Sequence, residues 1–470
     1  MREVPLPRVS LAPYEQVLGD ERTAQLRTGI GWLARTLGDN SIWNISSTAA
    51  GGGVAELLTV LCPLAQTLGL DARWLAIDAD APFHEVAKRV VARVYGIAGD
   101  GGPLGHAELG QYQRTINSNA SRLGELIRPG DVVIVHDPQP AGLIETARDR
   151  GATVVWRCHI GSDQANEHTR DGWSFVRPFV KLADATVFSI PEHVPGWVPR
   201  PQIIQPSIDP CGPKNMALRE EQVISVLSAA GILAGGNQAP LTVPVPIGPA
   251  VRIQRPAGVL REGPAPPADA PMVVQVSRWD RLKDMAGVLH AFLASGVPGY
   301  LTLAGADLTG VADDPEATKL YEQCRRAWAA LPPADRHRCQ LLCLPMTDLR
   351  ENAVMVNALQ QHATVIVQKS LAEGFGLTAT EAMWKSRPLL ASAVGGLRDQ
   401  VADEKTGLVL EDPTDLAAAA AGIRRLSTDR VLARRLGSAA RQLVAERYLV
   451  DRQLLAWARV LESLVRARAA

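Results

Sequence analysis

Two glutamates eight positions apart are placed in the sequence where they could do chemistry. They lie in EGFGLTATEAMW (373–384), where Glu373 comes just before a Gly-Phe-Gly turn and Glu381 follows it. The run before them, ATVIVQKS, predicts a buried strand, and LTATEAMWK predicts the start of a helix. A strand, a glycine turn and a helix start together form a common ligand-binding position in open α/β sheets. The alternative is a solvated turn glutamate followed by an ordinary helix-surface glutamate.

Two cations follow another strand-like run. Arg278 and Lys283 lie in SRWDRLKD, just past the apolar segment MVVQV. Cations at the carboxyl end of a strand suit a pyrophosphate leaving group, on which negative charge grows during reaction. A solvated loop is the alternative interpretation of these eight residues taken alone.

A third signature is rich in glycine. SSTAAGGGVAELL (46–58) places Gly51, Gly52 and Gly53 between a strand and an apolar helix that we expect to begin near Val54. Such a turn lets backbone amides approach an anion and adds the partial positive charge of a helix N-terminus. It is neither the G-x-G-x-x-G dinucleotide pattern nor a P-loop. A turn that merely lets the chain bend therefore remains the alternative.

Parallel strands must position these groups, and the sequence predicts two α/β halves. Buried strand-like runs of the first half lie at 41–48, 72–79, 131–137, 152–160 and 185–190. Those of the second half lie at 272–280, 300–306, 339–345, 363–370 and 388–396. Helical segments alternate with the strands, which predicts two Rossmann-like, doubly wound α/β domains facing a cleft. Thr378 or Thr380 is the expected cap of the helix that carries Glu381.

The predicted domains are residues 1–215 and residues 272–450. The segment between them, 216–271, is interpreted as a linker or insertion, because residues 232–271 are rich in proline, glycine and alanine and have no helical period. The amphipathic end, 451–470, predicts a helix that packs back on the first domain.

Composition excludes several classes of partner. Among 470 residues, Lys plus Arg and Asp plus Glu number 49 each, so no net charge favours nucleic acid or an anionic membrane. No run approaches the roughly 20 apolar residues of a membrane span. The start, MREVPLPRVS, has no apolar stretch typical of a signal peptide. Six scattered cysteines are typical of a reducing compartment, and we expect a cytoplasmic protein.

Further motifs connect these signatures to a known family. They are GGGVAELL (51–58), HDPQPAGLI (136–144), WRCHI (156–160), PSIDP (206–210), VQVSRWDRLKD (274–284), DDPEA (313–317), EGFGLTATEAMWK (373–385) and AVGGLRDQV (393–401). In order and content, they resemble the retaining GT-B glycosyltransferases, glycosyltransferase family 4. HDPQP, WRCHI and EAMW are most similar to the trehalose glycosyltransferring synthases, which join a nucleotide-activated glucose to free glucose.

The resemblance implies roles for the donor-binding residues. Glu381 would accept hydrogen bonds from the ribose hydroxyls, and Glu373 would lie beside the transferred sugar near its 3-OH. Arg278 and Lys283 would clamp the diphosphate. Backbone groups would complete the donor site, and they belong to Gly52, Gly53, Gly374, Phe375, Gly376 and Leu377.

The resemblance also implies roles in the first domain. His159 would reach the 6-OH of the donor sugar and support the reacting centre, whereas a histidine taken alone is more often structural. Asp137 and Gln139 follow another strand and would contact the acceptor. Where the family commonly has an aspartate after WRCHI, this chain has Gly161, so another hexose or a small polyol is an open alternative acceptor.

The implied reaction needs no cofactor built into the protein. No DxD-like metal motif follows a suitable strand, so we expect no metal site, with magnesium at most accompanying the nucleotide. Small sugars are the expected partners, without nucleic acid or membrane, and a homodimer is left open. A trehalose phosphorylase of similar fold and a non-catalytic sugar-nucleotide sensor are the alternative functions. The sensor is disfavoured because Arg278, Lys283, Glu373 and Glu381 are all present.

Overall fold

A computed structural model describes residues 1–235, 240–308 and 315–469. The chain divides into two compact units, unit 1 comprising Met1–Ser207 with Tyr448–Ala470 and unit 2 comprising Ile208–Arg447. Residues 236–239 of the predicted insertion, and the first two residues of the DDPEA motif, lie outside the described ranges. Along the described ranges, no helix combines the length and the apolar character needed to cross a bilayer.

The strands are numbered in chain order. They are β1 (Arg2–Glu3), β2 (Ile42–Ser46), β3 (Ala72–Ala76), β4 (Val132–His136), β5 (Thr153–Arg157), β6 (Ala185–Phe188), β7 (Gln202–Ile203), β8 (Leu241–Val243), β9 (Val251–Ile253), β10 (Gly258–Leu260), β11 (Met272–Val276), β12 (Tyr300–Ala306), β13 (Cys339–Leu344), β14 (Val365–Gln368), β15 (Leu389–Ser392) and β16 (Leu408–Leu410).

The helices are numbered in the same way. They are α1 (Ala12–Leu37), α2 (Gly52–Thr67), α3 (Ala81–Val94), α4 (His106–Leu126), α5 (Leu143–Asp149), α6 (Glu167–Val180), α7 (Glu220–Ala229), α8 (Met285–Ser295), α9 (Pro315–Ala329), α10 (Pro333–Arg336), α11 (Leu349–His362), α12 (Leu377–Trp384), α13 (Leu397–Gln400), α14 (Leu416–Thr428), α15 (Arg430–Arg447) and α16 (Val450–Ala469). Short 3₁₀ turns cover Pro191–His193 and Arg281–Lys283.

Unit 1 is built on a seven-stranded sheet in the order β1-β3-β2-β4-β5-β6-β7. The edge strand β1 is antiparallel to β3, and the strands from β3 to β7 run parallel. Since β2 pairs with β3 on one side and with β4 on the other, the chain leaves it in opposite directions there. The carboxyl ends of β2 and β4 therefore flank a topological switch point, where ligands bind in open α/β sheets.

Unit 2 repeats this plan with the order β10-β13-β12-β11-β14-β15-β16. The edge strand β10 is antiparallel to β13, and the strands from β13 to β16 run parallel. The switch point lies between β11 and β14, which pair through Val273–Val365 and Val274–Ile366. Strands β8 and β9 form a separate antiparallel pair.

Buried apolar residues explain why these strands form. Every residue of β2, β4 and β5 is buried, as expected for parallel strands covered by helices on both faces. The core of unit 1 includes Leu75, Val135 and Trp156. The core of unit 2 includes Phe292 and Leu303.

The predicted fold class is confirmed, because each unit is a parallel sheet with flanking helices and each of the ten predicted runs contains a strand. The predicted threonine caps are wrong, since α12 begins after Gly376 and both threonines lie inside the helix. In the described part of the predicted insertion 216–271, the structure has helix α7 and strands β8, β9 and β10. Helix α16 groups with unit 1 and contacts α1 and α2.

Candidate active site

The loop after β11 carries the two candidate cations. Asp280 organises it, because its side chain accepts the Leu282 backbone N–H at 2.9 Å and the Arg278 guanidinium at 2.8 Å. The Arg278 side chain is 74% exposed, whereas Lys283, at the end of the 3₁₀ turn, is buried. The two cations therefore share one loop and differ in their access to solvent.

Lys283 and Glu373 form an ion pair across the switch point of unit 2. The Lys283 ammonium donates to Glu373 Oε2, and the Ser370 hydroxyl donates to the same oxygen at 3.2 Å. Backbone pairing holds the two loops together, because the Leu371 N–H donates to the Leu282 carbonyl at 2.7 Å. A cation and a carboxylate predicted separately from the sequence are thus neighbours at one sheet edge.

Gln275 joins the same two loops from within β11. Its side-chain amide donates to the Lys283 carbonyl at 2.7 Å, and its Oε1 accepts the Lys369 backbone N–H at 3.0 Å. Because Gln275 is fully buried, these hydrogen bonds are protected from water. Gln275 therefore fixes the geometry of both loops, and the sequence analysis gave it no role.

The turn at 374–376 rests on two glycines from the loop after β15. A Cβ at Gly395 would lie 1.8 Å from the Glu373 carbonyl oxygen, and one at Gly396 would lie 2.7 Å from Phe375 Cα. The Gly396 N–H donates to the Gly374 carbonyl at 3.2 Å. The GG pair is thus required by close backbone contact, which also fixes the position of the turn.

Helix α12 is tied to this turn through a side-chain bridge. Gln400 donates to the Phe375 carbonyl at 2.5 Å and accepts the Thr380 hydroxyl at 2.6 Å. Gly376 precedes the helix with φ of 91°, a conformation that favours glycine. The bridge sets where the amides of the first helical turn begin.

Glu381 lies one turn further along α12, with its side chain only 2% exposed. Its Oε1 is 3.0 Å from the Lys214 ammonium, which comes from the segment after the PSIDP motif. A buried carboxylate needs a partner of this kind to stay charged. Lys214 is a charged neighbour that the sequence analysis missed, because nothing in the spacing of positions 214 and 381 indicates contact.

In unit 1, the glycine turn precedes helix α2. Gly51 and Gly52 have φ of 76° and 80°, and helix α2 begins at Gly52, two residues before the predicted Val54. All three glycines are exposed, and a Cβ on any of them would meet nothing within 4 Å. The positive φ values explain two of the three glycines, and the open space leaves the first amides of α2 accessible to an anion.

Asp137 follows β4 in a left-handed conformation, with φ of 66°. Its Oδ1 accepts the His159 backbone N–H at 2.7 Å, and its own N–H donates to the Arg157 carbonyl at 2.7 Å. Burial raises the pKa of Asp137 to about 7, although the His159 N–H and the Arg157 charge oppose the shift. Gln139, two residues on, has a buried Oε1 without a hydrogen-bond partner among the described residues.

His159 follows β5 and contacts a second histidine. Its Nε2 lies 3.0 Å from His136 Nδ1, and the two rings stack with centroids 5.3 Å apart. Burial, with a smaller effect from the Arg157 charge, lowers the pKa of His136 to about 3. The same causes, in the same order, lower the pKa of His159 well below its usual range. Both rings are therefore neutral at physiological pH.

The structure explains why position 161 is occupied by glycine. A Cβ there would lie 2.4 Å from Cβ and Cγ of His193, so the imidazole occupies the space that a larger residue would need. His193 is buried, and its Nε2 lies 3.2 Å from Asp163 Oδ1. The departure from the family pattern at this position is thus accompanied by a His193–Asp163 pair.

The predicted site residues fall into one group at each switch point. In unit 2, Arg278, Lys283, Glu373 and the turn lie on the loops after β11 and β14, and Glu381 lies on the helix that follows. In unit 1, the glycines, Asp137, Gln139 and His159 follow β2, β4 and β5. Sequence signals could have found Gly395 and Gly396, which form a GG pair after a strand. The sequence analysis assigned no role to the polar partners, although three of them lie within quoted motifs; they are Asn44, His136, Lys214, Gln275 and Gln400.

Asp137→Asn tests the raised pKa of Asp137. Between about pH 4, where an unfolded aspartate ionises, and about pH 7, the folded wild type holds a proton that the unfolded chain releases. Stability from this group is fully present below about pH 4 and is lost as the pH rises through about 7. Asparagine keeps an acceptor for the His159 N–H without ionising. The melting temperature of the variant minus that of wild type should therefore increase with pH up to about pH 7 and stay constant above it.

Circular dichroism melts of both proteins from pH 5 to pH 8 would measure this difference. Asp149→Asn, an exposed substitution in the same unit, is the matched control. A difference between Asp137→Asn and wild type that stays constant over this range would contradict the assignment.

Comparisons with known proteins identify the family of this chain. Residues 44–195 match the family described as trehalose synthase, N-terminal domain, and residues 350–443 match glycosyl transferases group 1. The trehalose synthase of Pyrococcus horikoshii is 29% identical over 97% of this chain and 96% of its own length. That of Rubrobacter xylanophilus is 30% identical over 95% and 94%, respectively. A trehalose phosphorylase of Pleurotus pulmonarius is 26% identical over 88% of this chain but 55% of its own length.

Solved structures share the fold at low identity. An α,α-trehalose-phosphate synthase (UDP-forming) from Burkholderia xenovorans superposes with a TM-score of 0.66 at 13% identity, covering 90% of this chain and 100% of that one. A sucrose-phosphate synthase from Thermosynechococcus elongatus gives 0.62 at 18% identity, covering 91% and 100%. The resemblance inferred from the motifs is therefore confirmed, and the chain belongs to the trehalose synthase family of the GT-B, group 1 glycosyltransferases.

Proposed function

We propose that this glycosyltransferase moves glucose from a nucleoside diphosphate glucose to free glucose, with retention, and forms α,α-trehalose. The observation that carries the proposal is the match to trehalose synthases over nearly the full length of both chains. It is supported by the candidate donor-site residues, which lie on loops and a helix at the switch point of unit 2. Similarity to these relatives supports trehalose as the product, and the site residues support the proposed chemistry.

Unit 2 is proposed to bind the donor. Arg278 and Lys283 neutralise the diphosphate, on which negative charge increases as the glycosidic bond breaks. Glu381 accepts the ribose hydroxyls, and amides of the 374–376 turn and Leu377 face the sugar and phosphate. Glu373 contacts the transferred sugar near its 3-OH. The Lys283–Glu373 ion pair supports this placement, because it keeps both charges next to each other at the sheet edge.

Unit 1 is proposed to contact both sugars. Gly52 and Gly53 offer amides at the start of α2 to the donor phosphates. His159 accepts or donates a hydrogen bond at the 6-OH of the donor sugar. Asp137 and Gln139 contact the acceptor, and the Gln139 Oε1, which is without a partner in the described part of the chain, supports a hydroxyl as its ligand.

The proposed reaction is a front-face substitution at the anomeric carbon. As the nucleoside diphosphate leaves, an oxocarbenium-like centre forms, and the acceptor oxygen attacks from the same face. The leaving phosphate oxygen takes the proton of the acceptor hydroxyl, so no dedicated carboxylate base is needed. Retaining glycosidases differ, because they use one carboxylate as nucleophile and another as acid and base. Glu373 and Glu381 have different cationic partners, Lys283 and Lys214, which supports separate roles for the two carboxylates.

We further propose that the protein itself needs no cofactor and that magnesium enters, if at all, with the nucleotide. Small sugars and the donor are the proposed ligands, in the cytoplasm. The six cysteines, all free in this structure, support a reducing compartment. A homodimer is compatible with this reaction and is not required by it.

Product analysis tests the function directly. The protein is incubated with glucose and with ADP-, UDP- or GDP-glucose in turn, and the product is examined by NMR. We expect α,α-trehalose, which is symmetric and gives one type of anomeric signal. A reducing disaccharide, or a glycoside of another hexose or polyol, would contradict trehalose as the product while leaving glycosyl transfer intact.

Phosphorolysis is the second candidate, and the similarity to the Pleurotus phosphorylase favours testing it. The chain spans about half of that relative, so the match supports it less than the full-length synthases support transfer. Formation of glucose 1-phosphate from trehalose and inorganic phosphate, with no nucleotide present, would favour the phosphorylase over our proposal.

Arg278→Ala should reduce turnover far more than it weakens nucleoside binding. The expected loss is about 2.7–4 kcal/mol in the activation barrier, by analogy with a lost oxyanion donor. Arg278 is a cleaner probe than Lys283, because removal of Lys283 would leave Glu373 without its ion-pair partner. Lys283→Ala should show an equal or greater loss.

The measurement is kcat and KM for the donor at saturating glucose. Arg281→Ala, an exposed arginine on the same loop, is the matched control and should behave like wild type. A weaker donor affinity with unchanged kcat for Arg278→Ala would show that the cation acts in the ground state alone.

Glu381→Ala and Glu373→Ala should affect different kinetic constants. Ribose contacts are made equally in the ground and transition states, so loss of Glu381 should raise the KM for the donor. Loss of Glu373, beside the reacting sugar, should lower kcat. Steady-state kinetics over a range of donor concentrations would separate the two effects, and the reverse pattern would exchange the proposed roles.

A further inference from the structure

Three polar side chains from neighbouring strands of unit 1 form a chain that ends at His159. Asn44 lies in β2, His136 ends β4, and His159 follows β5. Asn44 Oδ1 is 3.1 Å from His136 Nε2, and His136 Nδ1 is 3.0 Å from His159 Nε2. Asn44 and His136 have no role in the proposed reaction so far.

The orientation of Asn44 fixes the first hydrogen bond. Its side-chain NH₂ group lies 3.3 Å from the Arg73 carbonyl and 3.4 Å from Cys62 Sγ. A carbonyl oxygen can only accept, so the Asn44 nitrogen must face Arg73 and the Asn44 oxygen must face His136. His136 Nε2 therefore carries a proton and donates it to Asn44.

The neutral state of His136 fixes the second hydrogen bond. A neutral imidazole has one protonated nitrogen, and Nε2 already holds that proton. His136 Nδ1 must then accept, and His159 Nε2 must donate. Because the His159 ring is neutral as well, its Nδ1 carries a lone pair, and that atom has no hydrogen-bond partner among the described residues.

The surroundings offer few other hydrogen-bond partners to Asn44, His136 and His159. Asn44, His136 and His159 line a cavity of about 60 Å³ whose other walls are mostly apolar side chains of α1, α2 and α16. The buried Arg157 is the charged residue that acts on both rings, and it disfavours a second positive charge there. Asp137 binds the backbone N–H of His159. Few polar groups in this cavity compete for the ring nitrogens.

We propose that Asn44 and His136 are positioning residues that hold His159 in the tautomer with a proton on Nε2 and an accepting Nδ1. The Nδ1 atom then accepts a hydrogen bond from a substrate hydroxyl, the 6-OH of the donor sugar. This second statement rests on the proposed function, whereas the tautomer follows from the hydrogen bonds of Asn44 and His136 together with the neutral state of the buried rings. His159 would therefore select a ligand that donates at this position and would disfavour one that lacks the hydroxyl.

NMR of the full-length protein tests the tautomer without any activity. The protein is prepared with ¹⁵N-labelled histidine, and long-range ¹⁵N–¹H spectra at pH 7.5 distinguish protonated from unprotonated ring nitrogens. His136→Gln and His159→Gln assign the two rings among the nine histidines. We expect both rings to be neutral and protonated on Nε2. A proton on His159 Nδ1, or a charged ring at either position, would overturn the proposal.

Asn44→Asp is the matched perturbation. A carboxylate next to His136 favours its charged form, which would donate from both nitrogens and shift the His159 proton to Nδ1. The NMR spectrum should report this shift, and kcat should fall about 10-fold to 100-fold, by analogy with residues that orient a metal-binding histidine. The KM for glucose should stay within about 2-fold, because the acceptor contacts are retained.

Ile134→Val is the control, since it removes one methyl group from the wall of the same cavity, on the strand β4 that carries His136. It should leave the tautomer and kcat unchanged. If Asn44→Asp shifted the tautomer and kcat stayed at the wild-type value, the proposed hydrogen bond from the sugar 6-OH to His159 Nδ1 would be contradicted. A wild type that forms no glycoside would refute the proposed function, while its NMR spectrum would still decide the tautomer.

Discussion

Parallel pairing on both sides of one central strand is the constraint on which the rest of each unit depends. Strand β2 lies between β3 and β4, and β11 lies between β12 and β14. Because the chain departs from each central strand in opposite directions, the loops there separate and leave the strand ends uncovered. Within unit 1, the residues that follow β2 and β4 then become neighbours, and within unit 2 the same holds for those that follow β11 and β14, although they are far apart in sequence. Lys283 and Glu373, 90 positions apart, are in contact for this reason.

Charges placed at such an edge must be compensated within the fold. Glu381 is almost fully buried beside Lys214, Lys283 contacts Glu373, and Arg278 contacts Asp280. Each pairing limits the cost of removing a charge from water, although a buried pair contributes little net stability by itself. In the proposed function, a diphosphate brings two or more negative charges to the loop that carries Arg278 and Lys283. Both cations then contact phosphate oxygens through charge-assisted hydrogen bonds.

The sequence predicted the strands well because they are long apolar runs bounded by turn residues. All ten predicted runs contain a strand, but β7 to β10 are two or three residues long and lie in segments rich in proline or glycine, where no period is visible. Threonine at 378 and 380 suggested a cap, yet α12 starts at Leu377, directly after Gly376. Gly395 and Gly396 approach the turn so closely that this contact fixes the direction of the backbone. The start of α12 is therefore set by tertiary contact and not by the local preference of threonine for helix caps.

The candidate site residues also divide into those that local sequence predicts and those that only tertiary contacts reveal. Those on strand ends were found from motifs, whereas Asn44, Gln275 and Lys214 act through hydrogen bonds or ion pairs with residues 92, 94 and 167 positions away. Asn44 and Gln275 lie inside strands that the sequence predicts to be buried. A single polar residue in such a strand is explained equally well by hydrogen bonds to its near neighbours, without any role at a site. Their partners become evident when the register of β2 with β4 and of β11 with β14 is known.

The two units solve different electrostatic problems with the same sheet topology. At the edge of unit 2, the structure keeps charges, and Lys214, Arg278 and Lys283 are each paired with a carboxylate. At the edge of unit 1, burial favours neutral forms, because it lowers the pKa of His136 and His159 and raises that of Asp137. Arg157, fully buried behind these residues, strengthens the effect on the histidines and opposes it on the aspartate.

This difference suits the two parts of a sugar nucleotide. A diphosphate is recognised through charge, which is effective at a distance and tolerant of geometry. Sugar hydroxyls are uncharged and are distinguished by directional hydrogen bonds, which require a donor or an acceptor at a fixed atom. A neutral histidine with a defined tautomer provides such an atom, whereas an imidazolium would donate from both nitrogens and lose the distinction. In the proposed function, the burial of neutral polar groups in unit 1 is therefore the physical means by which strand ends provide hydroxyl-specific groups.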